Sequence, residues 1–199
     1  MRILHLNDVA GVACDIRNYQ NIAGHSAILI AHKRYSMCKP DIPLIMATIE
    51  ACVRDLIDKG IYQWNDNYPT EQIINSDLEG KFLYLIKNKQ ECLAIIVINE
   101  VQDEEWKKVD WSQSSRKPLA VHRLLVHPRF QKRGLGRRLM DFALKYANEN
   151  KYDSIRFDVY TGNPGLIDTY EKMGCVKRGE VYFPFRELPF GCYELEIRD

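Results

Sequence analysis

The chain has 199 residues, 46% of them hydrophobic and 28% charged, with 11 glycines and 8 prolines. That is enough apolar content to pack one domain without a disulfide or metal staple, and it excludes disordered and collagen-like chains. Lysine and arginine total 28 against 27 acidic residues, a formal charge of +1, which argues against a dedicated nucleic-acid binder.

The longest apolar run, Cys92 to Ile98, falls far short of the roughly 20 residues that cross a bilayer. The N-terminus carries no signal-peptide pattern, so no membrane association is expected. Cys14, Cys38, Cys52, Cys92, Cys175 and Cys192 form no C-x-x-C pair, and Cys52 and Cys92 sit inside apolar stretches. They read as reduced thiols of a cytoplasmic protein. His5, His25, His32, His122 and His127 show no ligand spacing with them, and no metal is expected.

In chain order, residues 1–33 open with MRILHL and end with SAILIAH, a β-α-β-like start that a nucleotide-sugar glycosyltransferase shares with any Rossmann-type fold. A lone β-α-β cannot bury its own sheet face. The economical division makes Ala27–Tyr35 the first strand of the main sheet and leaves 1–26 as an extension of a domain spanning 27–199. Residues 41–59 place Ile42, Ile45, Ile49, Val53 and Leu56 at helical spacing, with Asp41 as N-cap and Gly60 past the end. The polar loop IYQWNDNYPT follows, and Thr70 caps a short helix over 71–77. Phe82–Ile86 and Cys92–Val101 form a hairpin around an Asn-Lys-Gln turn. Asp103–Lys117 is a charged loop with a short ordered piece around Trp106 and Trp111. Leu119–Val126 is a strand ended by His127-Pro128, 135–150 an amphipathic helix, and Ser154–Tyr160 a strand. Asn163–Met173 is a helix with Asn163 as N-cap, Pro164 at its first position and Gly174 after its end. Val176–Phe183 and Tyr193–Ile197 close the chain. The order predicts an α+β fold, a mixed but mostly antiparallel sheet with helices, not a repeating βαβ sheet.

The even charge total conceals an asymmetry. No acidic residue occurs between Asp110 and Asp141, an interval that holds Arg116, Lys117, Arg123, Arg129, Lys132, Arg133, Arg137 and Arg138. Within it, Gln131-Lys132-Arg133-Gly134-Leu135-Gly136 runs from a strand and proline into a helix. Glycines there remove Cβ atoms that would hold a phosphate away, and the helix N-terminus and arginines add positive potential. The segment reads as an anion cradle suited to a pyrophosphate. It matches neither a P-loop nor a Rossmann fingerprint. A tight turn with a solvated basic face explains the same residues.

LLVHPRFQKRGLGRRLM (124–140) and IRFDVYTGNPGLIDTYEKMGC (155–175) together resemble the two motifs of the GNAT superfamily of acetyl-CoA-dependent N-acetyltransferases, in the family's order. The second has Cys175 where the family usually has Phe. The resemblance covers about residues 27–197. It implies the GNAT fold, with about 6–7 strands and four helices and a sheet splayed at the cofactor site, and acetyl-CoA as cofactor. It further implies that backbone groups of Leu124, Leu125 and Val126 pair with the pantetheine arm. The amides of Gln131, Lys132, Arg133, Gly134, Leu135, Gly136 and Arg137 would then hold the pyrophosphate. Arg129, Lys132 or Arg138 would reach the ribose phosphate, and Asn163 would sit near the thiol end. Tyr170 matches the general acid that protonates the departing thiolate. His122, Glu100 and Asp158 are candidates for the base, with His122 favoured by its intrinsic pKa. A backbone N–H near Val126 is the expected oxyanion donor.

Trp64, Tyr68 and the aromatic segment Val181 to Phe185 are read as walls of the acceptor pocket. The expected reaction moves acetyl to a primary amine of a small molecule by direct attack in a ternary complex. A protein N-terminal α-amine is the alternative acceptor, and a non-catalytic acyl-CoA-binding module the alternative role. No nucleic-acid or membrane partner is expected, and the sequence leaves room for a homodimer.

Overall fold

Two apolar periodicities organise the chain: runs of alternating or continuous apolar residues become strands, and 3-to-4-residue repeats become helices. The computed structural model describes residues 29–30 and 41–197, apart from 66, 89, 113–115 and 185. The extension expected at 1–26 lies outside the described residues, as does most of the strand expected at 27–35. The elements are β1 (Leu29–Ile30), α1 (Asp41–Asp58), α2 (Glu71–Glu79), β2 (Leu83–Lys87) and β3 (Cys92–Asn99), then a 3-10 turn over Glu104–Lys108. β4 (Pro118–Val126) leads through a second 3-10 turn, Pro128–Phe130, into α3 (Leu135–Glu149). β5 (Ser154–Tyr160), α4 (Pro164–Lys172), β6 (Val176–Val181) and β7 (Phe190–Glu196) complete the order.

The strands form one seven-stranded sheet in the order β1-β2-β3-β4-β5-β7-β6. Every pairing is antiparallel except β4 with β5. A parallel pair needs a crossover, and α3 supplies it. This is the α+β sheet expected from the element order.

α1 buries Ile45, Ile49 and Cys52 against Leu85, Ile95 and Val97 on one face of the sheet. α3 buries Leu139, Met140 and Ala143 against Tyr84, Ala94 and Ile96 on the other. β3 is therefore covered on both sides, which is why its sequence is continuously apolar rather than alternating. Local signals act where they were read. Thr70 Oγ1 accepts from Ile73 N at 3.4 Å at the start of α2. Asn163 Oδ1 accepts from Leu166 N at 3.3 Å at the start of α4. Gly174, at φ 87°, turns the chain beyond α4. The hairpin turn is held by Asn88 Oδ1, which accepts from Gln90 N and Glu91 N at 2.7 and 2.8 Å.

Two boundaries near the end of the chain differ from expectation. β7 begins at Phe190 because Phe190–Cys192 pair with β5 on one side and β6 on the other. β6 stops at Val181, so Phe183 and Pro184 belong to a loop rather than a strand. Trp106, within the charged loop, is only 1% exposed and packs in a small core with Ala120, Tyr160, Phe190 and Cys192. Among the described residues, no helix is long and apolar enough to cross a membrane.

Candidate active site

The one parallel pairing is short. β4 and β5 share only Pro118↔Ser154, Leu119↔Ile155 and Ala120↔Arg156. Beyond that register the strands are no longer partners, and a cleft of about 610 Å³ is lined by Val121 to Leu124 of β4 and by Phe157 and Asp158 of β5. The expected splay is thus present.

A β-bulge shapes the β4 wall. Val97 faces His122 and Ile95 faces Leu125, so Arg123 and Leu124 stand opposite Ile96 alone. The extra residue breaks the alternation of side chains, and Arg123 takes it up with φ 47°. Leu125 then packs under α1, while Leu124 and Val126 pack under α3. The Arg123 guanidinium donates from Nε and Nη2 to the Asp77 carboxylate at 2.8 and 2.7 Å, and from Nη1 to the Tyr68 hydroxyl at 3.1 Å. Burial pushes the Asp77 pKa up despite this arginine. Tyr68 meets Trp64 edge-on with ring centroids 6.5 Å apart, and both line the cleft. The Arg123–Asp77 pair was not foreseen. Its members lie 46 residues apart on elements that share no local pattern, and the bulge that joins them exists only in the pairing register.

His122 lines the cleft with its Nε2 2.9 Å from the Val101 carbonyl. A carbonyl only accepts, so Nε2 carries the hydrogen and Nδ1 the basic lone pair. The imidazole stacks on Trp106 at 5.6 Å and 13°. Burial, first, holds its pKa below the ordinary value, and neighbouring Arg123 acts in the same direction. Asp158 also lines the cleft, and its Oδ2 accepts from the Trp106 indole N–H at 3.0 Å. Desolvation, reinforced by Asp103 and Glu105, pushes its pKa up to about 7 even though the indole opposes this. Glu100, the third carboxylate or imidazole considered, instead accepts from Tyr152 at 2.7 Å and does not line the cleft.

Tyr170 reaches the cleft from α4. Its ring lies 4.6 Å from that of Phe157, and burial raises its pKa, so the hydroxyl keeps its proton at neutral pH. Asn163 caps α4, as its residue type predicted, and does not line the cleft. Phe183, Pro184 and Phe190 close the aromatic side of the cleft, and Phe185 lies outside the described residues.

The glycine-rich turn sits at the N-terminus of α3. Lys132 (φ 59°) and Gly134 (φ 77°) both adopt left-handed backbone. The first bond of the helical ladder here is Arg138 N to Gly134 O at 3.1 Å, so the amides of Leu135, Gly136 and Arg137 precede it. No acidic residue lies in the first turn. A Cβ built on Gly136 would stand 3.7 Å from Val126 and 3.9 Å from Leu124, which puts the turn directly beside the cleft wall. This donor set fits a pyrophosphate. Leu135 contributes only its amide, because its side chain is buried in the core. Arg137 pairs with Asp141 at 3.1 Å, Arg129 pairs with Glu91, and Arg133 lies over the Phe130 ring at 5.4 Å. The Val126 carbonyl accepts from Gln131 Nε2 at 3.2 Å and from the Cys52 thiol at 3.3 Å. The His127 amide donates to the Leu93 carbonyl at 2.9 Å, so strand alternation turns the backbone groups of Leu124 and Val126 away from β3.

Comparison with known proteins agrees with this geometry. Residues 49–175 match the model of the acetyltransferase (GNAT) family. The chain is 26% identical over 122 residues to the uncharacterized N-acetyltransferase YesJ of Bacillus subtilis, a match that spans 60% of this chain and 67% of that protein. A GNAT-family acetyltransferase from Streptococcus agalactiae superposes with TM-score 0.68 at 18% identity, covering 88% of this chain and 98% of its own. The putative acetyltransferase yncA of Salmonella typhimurium, solved with acetyl-CoA, superposes with TM-score 0.62 at 14% identity, covering 87% and 96%.

Proposed function

The chain belongs to the GNAT acetyltransferase family and is an acetyl-CoA-dependent acyltransferase; from that premise we propose that its acceptor is the primary amine of a small molecule. Acetyl-CoA supplies the acetyl group as a thioester, activated toward attack by nitrogen. The observation that carries the reading is the contact between the two halves of the site. Gly136 of the cradle abuts Leu124, and Leu124 lines the cleft. An anion held at the helix end thus has its other end directed along β4 toward Tyr170 and His122.

In this reading the amides from Gln131 to Arg137 hold the pyrophosphate, and backbone groups of Leu124 and Val126 orient the arm, those of Leu125 facing β3 instead. Tyr170 delivers its hydroxyl proton to the leaving thiolate. His122, through Nδ1, takes a proton from the attacking nitrogen, and the amide near Val126 supports the carbonyl oxygen. Trp64 and Tyr68 wall the acceptor. Residues 27–199 make up the transferase domain, with 1–26 as an extension of it.

Direct attack is supported by the thiols. Burial pushes Cys52, Cys175 and Cys192 up to about 12, so none of these is a thiolate ready to carry an acyl group at neutral pH. Buried, reduced cysteines also support a cytoplasmic setting. A small acceptor is supported by Arg186, whose Nε donates to the Gln63 carbonyl at 2.9 Å. That bond ties the loop after β6 to the loop after α1, and both loops line the cleft. A protein N-terminus needs this end open.

The test is a thiol-release assay with acetyl-CoA across primary amines, polyamines and peptides with free N-termini. Small amines should be turned over in preference to peptides. Turnover of peptides alone would reverse the acceptor assignment. Calorimetric binding of CoA with no turnover of any acceptor would point to a binding module.

A further inference from the structure

A buried ion pair is a poor source of stability, because desolvating both charges offsets most of their attraction. Arg123 and Asp77 form such a pair, with side chains 12% and 8% exposed. We propose that Arg123 is a positioning residue for acceptor recognition. Through Tyr68 it presents a hydroxyl hydrogen to the cleft, which selects primary amines bearing a neutral hydrogen-bond-accepting oxygen, as amino alcohols do. The inference deepens the acetyl-transfer reading above and rests on it.

The pair forms against several local preferences. In regular alternation the side chain at position 123 would share the α3 face with Val121. The bulge reverses this, and Arg123 finds its partners on the opposite face, where Tyr68 packs on the core under α1. That redirection needs φ 47°, a conformation that side chains with a Cβ disfavour. Asp77 lies in the last turn of α2, where the helix dipole disfavours an acid. Burial, strain and dipole all oppose the arrangement, and the result of all three is one guanidinium held in one place.

The fork of that guanidinium fixes what it does there. Nε and Nη2 both donate to Asp77, at 2.8 and 2.7 Å, which sets the plane of the group. Nη1 is then left to donate to the Tyr68 hydroxyl at 3.1 Å. A guanidinium has no acceptor, so the hydrogen of that hydroxyl turns away from it. Among the described residues no acceptor meets this hydrogen, and Tyr68 lines the cleft. The rest of the loop is held independently. Asn65 and Tyr68 exchange backbone bonds of 3.0 and 3.3 Å, and Trp64 meets the Tyr68 ring edge-on at 6.5 Å. Ring and oxygen are thus both fixed, and the remaining hydrogen is left for an arriving ligand.

Charge decides which kind of oxygen it meets. Among the described residues the cleft is lined by Asp103 and Asp158 against Arg186, with Arg123 already neutralised by Asp77. Two acids against one arginine attract the ammonium of an acceptor and disfavour a carboxylate on it. The matching oxygen is therefore neutral, a hydroxyl or an amide carbonyl.

The experiment measures thiol release from acetyl-CoA by the full chain with matched primary amines. The pairs are phenethylamine with 2-amino-1-phenylethanol, propylamine with 3-amino-1-propanol, and a panel built the same way, with β-alanine as the carboxylate counterpart of the second. The hydroxylated member should have the higher kcat/KM by about 5- to 10-fold, through KM rather than kcat, and β-alanine the lowest. Tyr68→Phe, which keeps the ring, should bring that ratio to about 1. Arg123→Lys should do the same with calorimetric CoA affinity unchanged, because one ammonium cannot hold Asp77 and Tyr68 together. Loss of a purely structural support would lower both members of a pair alike and keep their ratio. A wild type without preference for the hydroxylated amine, or with preference for β-alanine, would overturn the inference alone. So would a ratio that survives in Tyr68→Phe, or in Arg123→Lys. Should Arg123→Lys not fold, Asp77→Asn takes its place, since it loosens the same fork. Absence of turnover by the wild type with every amine, despite CoA binding, would overturn the transfer reading and this inference with it.

Discussion

The two ends of β5 present the same problem, a carboxylate taken out of water, and answer it in opposite ways. At the end where β4 and β5 are paired, Glu194 is 0% exposed. It accepts from Ser154 Oγ at 3.1 Å, Arg156 Nε at 2.9 Å, Arg178 Nε at 2.9 Å and the Ser112 amide at 2.9 Å. Burial by itself would raise its pKa, but the Ser112 amide and Arg156 hold it below the usual carboxylate range. At the end where the strands part, Asp158 has one indole N–H, and burial pushes it up to about 7. Donor count, rather than depth, separates a structural carboxylate from one free to exchange a proton. Among the described residues, the second carboxylate keeps a single donor because β4 no longer lies beside it.

That contrast can be broken or sharpened. The largest effect is expected at the paired end. Glu194→Gln leaves Arg156, only 8% exposed as a side chain, without its counter-charge, and should cost about 3–5 kcal/mol in urea unfolding. A loss below about 1 kcal/mol would mean that the network contributes little. At the parted end, Tyr170→Phe should lower kcat about 10²-fold, near 2.7 kcal/mol, with calorimetric CoA affinity unchanged. Full turnover in that variant would remove its role as acid. At the cradle, Gly134→Ala forces an L side chain to hold φ 77°. This should destabilise the fold by about 1–2 kcal/mol while leaving space at the site, since nothing lies within 4 Å of the added Cβ.

The smallest effect is a slope with pH. Glu194 is depressed, so the stability it contributes is present above its unfolded pKa, about 4.3, and is lost as pH falls through the folded value. Asp158 is raised, so its contribution is present below about 3.9 and is lost as pH rises through about 7. Unfolding free energies of Asp158→Asn should therefore gain on the wild type over roughly pH 4 to 7. Parallel curves over that window would show that the carboxylate is not perturbed.

Much of this molecule is legible in local pattern. The turn into α3 is announced by Gly134 and an interval without acids, because a helix N-terminus is set by consecutive residues. Caps and turns at Thr70, Asn88, Asn163 and Gly174 are equally local. Trp106 is half-legible: an ordered piece is expected there, but its indole's duty to Asp158 and His122 links positions 52 and 16 residues away. Glu100 shows the converse failure. It has the right chemistry at a strand end, yet the sheet turns it to Tyr152.

By itself, then, the sequence determined the elements, the face each buries, and the cradle with its charge, since these depend on periodicity and on neighbours within one turn or strand. Only the tertiary structure decided where β4 and β5 separate, that Arg123 occupies a bulge locked to Asp77, and which carboxylate was left with a single donor. Those outcomes follow from pairing register and from the donors that distant segments bring to a buried charge. Glu194 stands opposite Arg156, and Asp158 lies just two residues further along the same strand. Carboxylates that close in the sheet can therefore carry the same chemistry and meet different fates.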